Sequence, residues 1–545
     1  MKLRSALLAA AAANILVAGA AGAATAHKPR HKAPAGDQQL QAQVKALREE
    51  VEALRSEIGA QKSSQVATQV QVESTNNALQ ATRTEVQAVQ TQVAATPPVT
   101  REQVNTQIAS AIDKEHHNSK LYFKGITITP GGYLELAGIY RQHFQGNDIS
   151  SSFSIPFPNN RASHTSEGRF SARQSRLSFL AEGAVNPHVQ LGMYGEFDFQ
   201  GGAQTANSNQ SNSYNPRIRT LYGTIDWNEG DHGWHLLAGQ NWSLLTTNAK
   251  GITPRAELTP PQIDAQYVPG FAWARQPGIR LAGDFLDHKL WIAVAAENPQ
   301  TTFAGTVPPN VTNNQQAGSG FDSANTLSLN HLPDGIAKIA YDTHIAGNAV
   351  HVEGFGLVRS FDAHLNGAGN NSATGYGYGG SIVAQIVPGV LDAQFSGIGG
   401  KGIGRYGSAG LPDVTFSADG QIHPLNEFML LGGATLHATR MLDLYAFAGE
   451  EQEDRKILSG GTYGVGLPTA NNSGCFIEGG ACAGNTRRIR QLTAGFWEKL
   501  YQGSYGRAQV GIQYSYTQRQ LFAGVGGMPQ VSQNMGFLSF RYYPF

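Results

Sequence analysis

Residues 172–199 read ARQSRLSFLAEGAVNPHVQLGMYGEFDF. Two runs flank a short break at Gly183 to Pro187. In the second run Val189, Leu191, Met193, Phe197 and Phe199 share one face, and Gln190, Tyr194, Glu196 and Asp198 share the other. In the first, Leu177, Phe179 and Ala181 oppose Gln174, Arg176, Ser178 and Glu182. Period-two alternation with the charges on one face is a strand pattern. Strands of a soluble sandwich are usually about five or six residues long, whereas about ten tilted residues cross a bilayer. The pair therefore predicts a membrane-spanning hairpin.

The same alternation recurs from residue 121 onward, in about sixteen segments. Short connections at 228–231, 286–288 and 387–390 contrast with long ones at 143–170, 200–215, 243–272, 299–333 and 451–485. Short turns at one end and long loops at the other predict an all-β transmembrane barrel of antiparallel strands. A propeller would repeat a blade motif at even spacing, and none is present in the sequence. One further strand near 413–420 is ambiguous. Trp227, Trp234, Trp242, Trp273, Trp291, Tyr542 and Tyr543 fall near strand ends, where an interfacial aromatic girdle is expected. The final strand reads FLSFRYYPF. Its terminal Phe545 resembles the signal read by the barrel-insertion machinery, although Pro544 leaves it out of phase with Leu538, Phe540 and Tyr542.

Upstream of the barrel the chain has a different period. Lys2 and Arg4 precede an apolar run from Ala6 to Ala20, so residues 1–26 read as a secretory leader. Ala24-Thr25-Ala26 is the first choice of cleavage site and Ala21-Gly22-Ala23 the second. After a polar linker at 27–39, residues 40–93 hold an unbroken heptad frame. Val44, Val51, Ile58, Gln65, Val72, Leu79, Val86 and Val93 lie on one seam position, and Leu40, Leu47, Leu54, Gln61, Thr68, Thr75, Thr82 and Val89 on the other, the polar Gln and Thr layers costing stability in exchange for register or oligomer state. This predicts an α-helical coiled-coil rod of roughly 80 Å and a homo-oligomer, without choosing between dimer and trimer. A second linker, 94–120, contains Pro97-Pro98 and His116-His117, which read as solvated linker histidines. No later segment offers about 18 consecutive apolar residues, so no spanning helix is expected after the leader.

Composition narrows the function. Forty basic side chains balance forty acidic ones, and loss of Lys2 and Arg4 with the leader leaves a slight acidic excess. A globally basic nucleic-acid binder is excluded. Cys475 and Cys482, close together in a Gly-rich segment, suit a small loop disulfide in an oxidising compartment. A metal pair there would lack neighbouring histidine ligands. Gly375-x-Gly377-x-x-Gly380 and Gly397-x-Gly399-x-x-Gly402 match a dinucleotide fingerprint by letter, but neither joins a buried strand to a helix. GxSxG, HExxH and Walker motifs are absent from the sequence, so no catalytic residue, cofactor or metal site is expected and the chain does not read as an enzyme.

The chemistry instead rests on charges that a barrel would turn inward. An arginine facing lipid at the membrane midplane costs about 2–4 kcal/mol, so midspan arginines are expected to face the lumen. Arg176 and Arg280 share the polar phase of their strands, while Arg173, Arg217, Arg219 and Arg275 lie on or near strands. Glu196 and Asp198 project to the same side as Arg176. Guanidinium groups stay charged and present a planar donor fork to carboxylate or phosphate. Opposed charges across a narrow channel are expected to orient dipolar or anionic solutes.

At ARQSRLSFL (172–180), joined to the N-terminal heptads and the later ARQPGIRL (274–281), the sequence resembles the DcaP-like outer-membrane porins. The resemblance implies a homotrimeric sixteen-stranded channel in the bacterial outer membrane, with its coiled coil in the periplasm and lipid around the barrel. It also implies passive diffusion of small anionic solutes, dicarboxylates among them, through a pore lined by Arg173, Arg176, Arg275 and Arg280. In such barrels the loop after the fifth strand folds inward. Here that is 243–271, carrying Lys250, Arg255, Glu257 and Asp264 as expected constriction residues. The competing reading is a structural or adhesive outer-membrane anchor with a periplasmic spacer. A wide water-filled lumen would separate the two.

Overall fold

The computed structural model describes residues 120–201, 215–312 and 330–545, with isolated helical positions at 52, 79–81, 83 and 84. The leader, both linkers up to 119 and the rest of the heptad seam lie outside the described residues.

Sixteen antiparallel strands close into a barrel. They begin with β1 (Ile126–Arg141), β2 (Glu167–Ser171, resuming as Arg176–Asn186), β3 (Val189–Gly201), β4 (Asn215–Asn228) and β5 (Gly233–Trp242). Then come β6 (Arg275–Phe285), β7 (Leu290–Glu297), β8 (Asp334–Ile345), β9 (Asn348–Leu365), β10 (Gly369–Val387) and β11 (Leu391–Lys401). The last are β12 (Asn426–His437), β13 (Leu442–Glu453), β14 (Thr486–Gly503), β15 (Gly506–Leu521) and β16 (Gln530–Tyr543). Closure is made by β16 against β1, with Leu134 opposite Tyr542 and Tyr140 opposite Gly536. This removes both sheet edges, as a bilayer requires. The 172–199 hairpin is β2–β3, with Arg176 opposite Asp198 and Leu180 opposite Tyr194. The ambiguous 413–420 segment is not a wall strand. Val414–Phe416 pairs with Ile422–Pro424 in a separate ribbon.

The wall obeys the alternation. Leu177, Leu191, Ile279, Val358, Phe395, Leu492 and Leu538 are exposed on its outer face, where hydrocarbon would cover them. Arg280, Lys338, Glu353, Arg359 and Glu451 point the other way and are buried. The expected aromatic girdle is only partly correct. Trp227 and Trp234 pair in register at the short-turn end, and Trp234 is exposed. Trp242 and Trp291 are instead buried inside, Trp242 against Tyr267 and Phe271, Trp291 stacked on His235. Trp273 also packs on the internal cluster. Strand-end position alone did not fix the side from which these rings are covered.

What buries the inward residues is chain from the long loops. Ile252, Ile263, Val268 and Phe271 of segment 243–271 are almost fully buried. Ile263, Val268 and Phe271 pack against wall residues of β1, β12, β13, β14 and β16, including Ile139, Leu431, Phe447, Trp497 and Phe537. Ile252 belongs to a second cluster with Trp291 and Ala293 of β7 and Ile336 and Ala340 of β8. The segment therefore crosses the barrel interior. Its crossing is pinned by Asn248 N donating to Glu353 (3.0 Å), Trp497 Nε1 to the Pro261 carbonyl (2.8 Å) and Gly270 N to Glu451 (2.8 Å). Gly270 is obligatory at its crossing point: φ is +87°, and a Cβ would lie 2.1 Å from the Leu430 carbonyl oxygen. A second segment, 402–425, also turns inward and locks to the first. Trp273 N donates to the Tyr406 carbonyl (2.9 Å), and Gln266 Nε2 to that of Ser408 (2.5 Å).

Candidate functional site

The arginine site grows out of the β2–β3–β4 wall. Position-by-position pairing sets Arg176 against Asp198, and Asp198 against Arg217. A register irregularity in β4 near Arg219 lets consecutive arginines of the Arg217-Ile218-Arg219 run reach the same two carboxylates. Arg217 clasps Asp198 with two donors, at 3.0 and 2.6 Å. Arg219 bridges Glu196 (2.5 Å) and Asp198 (3.1 Å), and Arg176 stands 3.8 Å from Glu196. Arg275 lies over the Trp242 ring, 4.8 Å from its centroid.

The inward segment closes this cluster from the lumen side. Arg255 lies over the Tyr194 ring at 5.7 Å, and Glu257 accepts from Asn241 at 3.1 Å. Arg176, Arg219, Arg255, Glu196, Glu257 and Tyr267 line a space of about 180 Å³. Five guanidiniums thus surround three carboxylates, and Arg176 Nε and Arg275 Nη1 are buried with no hydrogen-bond partner among the described residues. Tyr267 is held at φ +67°, a left-handed conformation that costs a non-glycine residue about 1–2 kcal/mol. Burial pushes its phenol up, but Arg176, Arg219 and Arg275 outweigh burial and bring it down to about 8.

Some expected residues sit elsewhere. Asp198 is fully buried and braces Arg217 and Arg219, so it does not line the space. Glu196 and Asp198 stand beside the arginines on the same wall, not across the lumen from them, because β2, β3 and β4 are neighbours. Arg280 faces inward but is covered by the start of the inward segment and donates to the Trp242 carbonyl at 2.7 Å. Arg173 holds the carbonyls of Phe199 and Gly201 at 3.0 and 2.7 Å and tethers the end of β3. Asp264 is buried and accepts from the backbone N–H groups of Ser151 and Gln266, which fixes the loop's fold. Lys250 borders a larger cavity of about 1160 Å³ at the short-turn end, and Thr259 borders both spaces. Cys475 and Cys482 form a disulfide within the 454–485 connection, remote from the arginines.

Sequence reasoning missed Tyr267, Tyr194, Tyr222 and Asn241, all lining residues. It also missed two buried ionic networks elsewhere in the interior. Lys338 meets Glu353 at 3.0 Å, and Arg359 reaches Asp334 (3.1 Å) and Asp413 (2.5 Å). The first of these anchors the inward segment at Asn248 and Thr246.

A closed sixteen-stranded barrel with inward-folded loops and a charged interior is the architecture of outer-membrane channels. The fold is that of the outer membrane channel DcaP of Acinetobacter baumannii, with a TM-score of 0.55, 17% identity and coverage of 78% of this chain and 99% of that one. OprB of Pseudomonas putida aligns with a TM-score of 0.42 and 8% identity over 76% of this chain and 94% of its own. An anion-selective porin from Comamonas acidovorans aligns with a TM-score of 0.40 and 10% identity over 77% and 99%. No protein-family model matches the sequence, and no curated protein matches it.

Proposed function

We propose that the chain is an outer-membrane porin that passes small anionic solutes, dicarboxylates being the best-fitting class. The observation that carries this reading is the space of about 180 Å³ beside Arg176, Arg219 and Arg255, where the Arg176 Nε–H has no hydrogen-bond partner among the described residues. A carboxylate entering it would meet donors already oriented by Glu196 and Asp198, at little cost of reorganisation. Segment 243–271 acts as the constriction, with Arg255 and Glu257 presented to the solute. No covalent chemistry is needed. The working form is a homotrimer whose heptad rod lies in the periplasm, with long loops facing outward.

Single-channel conductance in planar bilayers, with reversal potential under a potassium chloride gradient, tests the reading. Conductance in steps of three, with an anion preference that drops in Arg176→Ala, is the expected result. A folded, inserted protein that conducts nothing would sink the pore and favour the anchor. Conductance with no charge preference would keep the pore and make the arginines wall braces.

A further inference from the structure

The outer wall carries a feature that diffusion through the lumen does not use. Between β11 and β15 a groove of about 490 Å³ runs along the lipid face. Its floor is made by the small residues Gly432 and Ala448, and its sides by Phe395, Leu430 and Leu492. At its long-loop end the apolar surface stops at a charged group. Arg490 Nε meets Glu450 at 2.6 Å, and Arg488 Nη1 stands 3.8 Å from the same carboxylate. Arg487 adjoins them. Two guanidiniums therefore share one carboxylate, Arg487 being turned to the Met528 sulfur instead, and Arg490 keeps almost half of its side chain exposed.

On a lipid-facing wall this arrangement is selective. A guanidinium is tolerated there only near the headgroup level, where its cost falls to about 0–1 kcal/mol. A concave apolar strip leading up to excess positive charge matches a molecule with an acyl chain below and a phosphate above. We infer that the β11–β15 face is a seat for an acylated, phosphorylated lipid of the outer leaflet, with phosphate on Arg488 and Arg490 and an acyl chain over Gly432 and Ala448. This goes beyond the pore reading and does not depend on ion selectivity.

The test uses the full chain in detergent, with bis-phosphorylated hexa-acylated lipid A as probe and the same lipid stripped of phosphate as control. Binding is read by native mass spectrometry, and folding by heat-modifiable gel mobility. The wild type should bind lipid A at least about tenfold more tightly than the stripped lipid. Arg488→Ala/Arg490→Ala should remove that preference, while Ala448→Phe, which fills the groove and keeps both arginines, should weaken both lipids. Folded variants that bind lipid A as the wild type does would overturn the inference. So would displacement by low-millimolar inorganic phosphate, which would mark a free-anion site. Loss of oligomer in Ala448→Phe with lipid binding unchanged would also overturn it, and would assign the face to contact between copies.

Discussion

Trp497 Nε1, on β14, donates a hydrogen bond of 2.8 Å to the Pro261 carbonyl, on the segment that enters the barrel after β5. The bond joins residues 236 positions apart and ties the middle of the inward segment to the wall opposite its origin. Ile263 N and Asp264 N donate to Gln513 on β15, extending the same anchorage. The segment is thus clamped at both ends and at its centre, and the lumen is divided where it crosses.

Trp497→Phe removes the indole donor and keeps an aromatic ring, though a smaller one, in the cluster. A net hydrogen bond is worth about 0.5–1.5 kcal/mol, so the population with a displaced segment should rise by roughly fivefold. The expected result is frequent brief excursions to higher conductance in single-channel records, with unchanged heat-modifiable mobility. A current trace as quiet as the wild type's would show that the clamp does not depend on this bond.

Arg176 and Arg219 should separate charge selectivity from stability. Arg176 is the looser partner, 3.8 Å from Glu196, so Arg176→Ala leaves Glu196 held by Arg219. The fold should persist and the anion-to-cation permeability ratio should fall severalfold. Arg219→Ala deprives Glu196 of its close partner and leaves buried Asp198 to Arg217 alone. Breaking a buried pair from one side costs roughly 3–5 kcal/mol, so this variant should show reduced insertion. If Arg219→Ala inserts normally and Arg176→Ala does not, the assignment of roles is reversed.

The disulfide supplies a local control. Its closed loop is short, with a sequence separation of 7, and chain-entropy arithmetic gives such a loop roughly 2–3 kcal/mol. Cys475 is fully buried, beside Phe157 and Leu521. Cys475→Ser/Cys482→Ser should open the 454–485 connection to protease while leaving the barrel resistant. Unaltered proteolysis would mean that packing around Phe157 already holds the connection without the bond.

How much of this could be read from sequence follows from what enforces each feature. Lipid compels every outward residue of β2 and β3 to be apolar, so Leu177, Leu191 and Met193 announce their face locally, and all sixteen wall segments were recognisable. Arg176 and Glu196 followed from the same phase. Inward loops obey no period. Ile252, Ile263, Val268 and Phe271 are the signal that 243–271 is covered, since a solvated loop has no use for four large apolar residues, but the β12 to β16 partners of Ile263, Val268 and Phe271 are 160 or more residues away. The inward turn of 402–425 was hidden in the same way, as was the burial of Arg280 beneath the start of 243–271 and of Asp264 within that segment. Tyr267 had no sequence signature, because its role comes from a left-handed backbone and three arginines gathered from β2, β4 and β6.

In the anion-preferring channel proposed above, Tyr267 should make the charge preference depend on pH. Its phenol, brought down to about 8 from an ordinary value near 10, is neutral at pH 7 and anionic by pH 9. Ionisation places a negative charge among Arg176, Arg219 and Arg275 and offsets part of the positive excess. Anion preference should therefore decline as pH rises through about 8, and Tyr267→Phe should abolish that decline while leaving the preference at pH 7 intact. The linked stability runs the other way. A folded value below the unfolded one favours the folded phenolate, so this contribution is full above about 10 and lost as pH falls through about 8. Reversal potentials measured from pH 6.5 to 9.5 on wild type and Tyr267→Phe decide the point. Parallel curves would mean that the hydroxyl stays protonated throughout and serves the arginines only as a neutral hydrogen-bond partner.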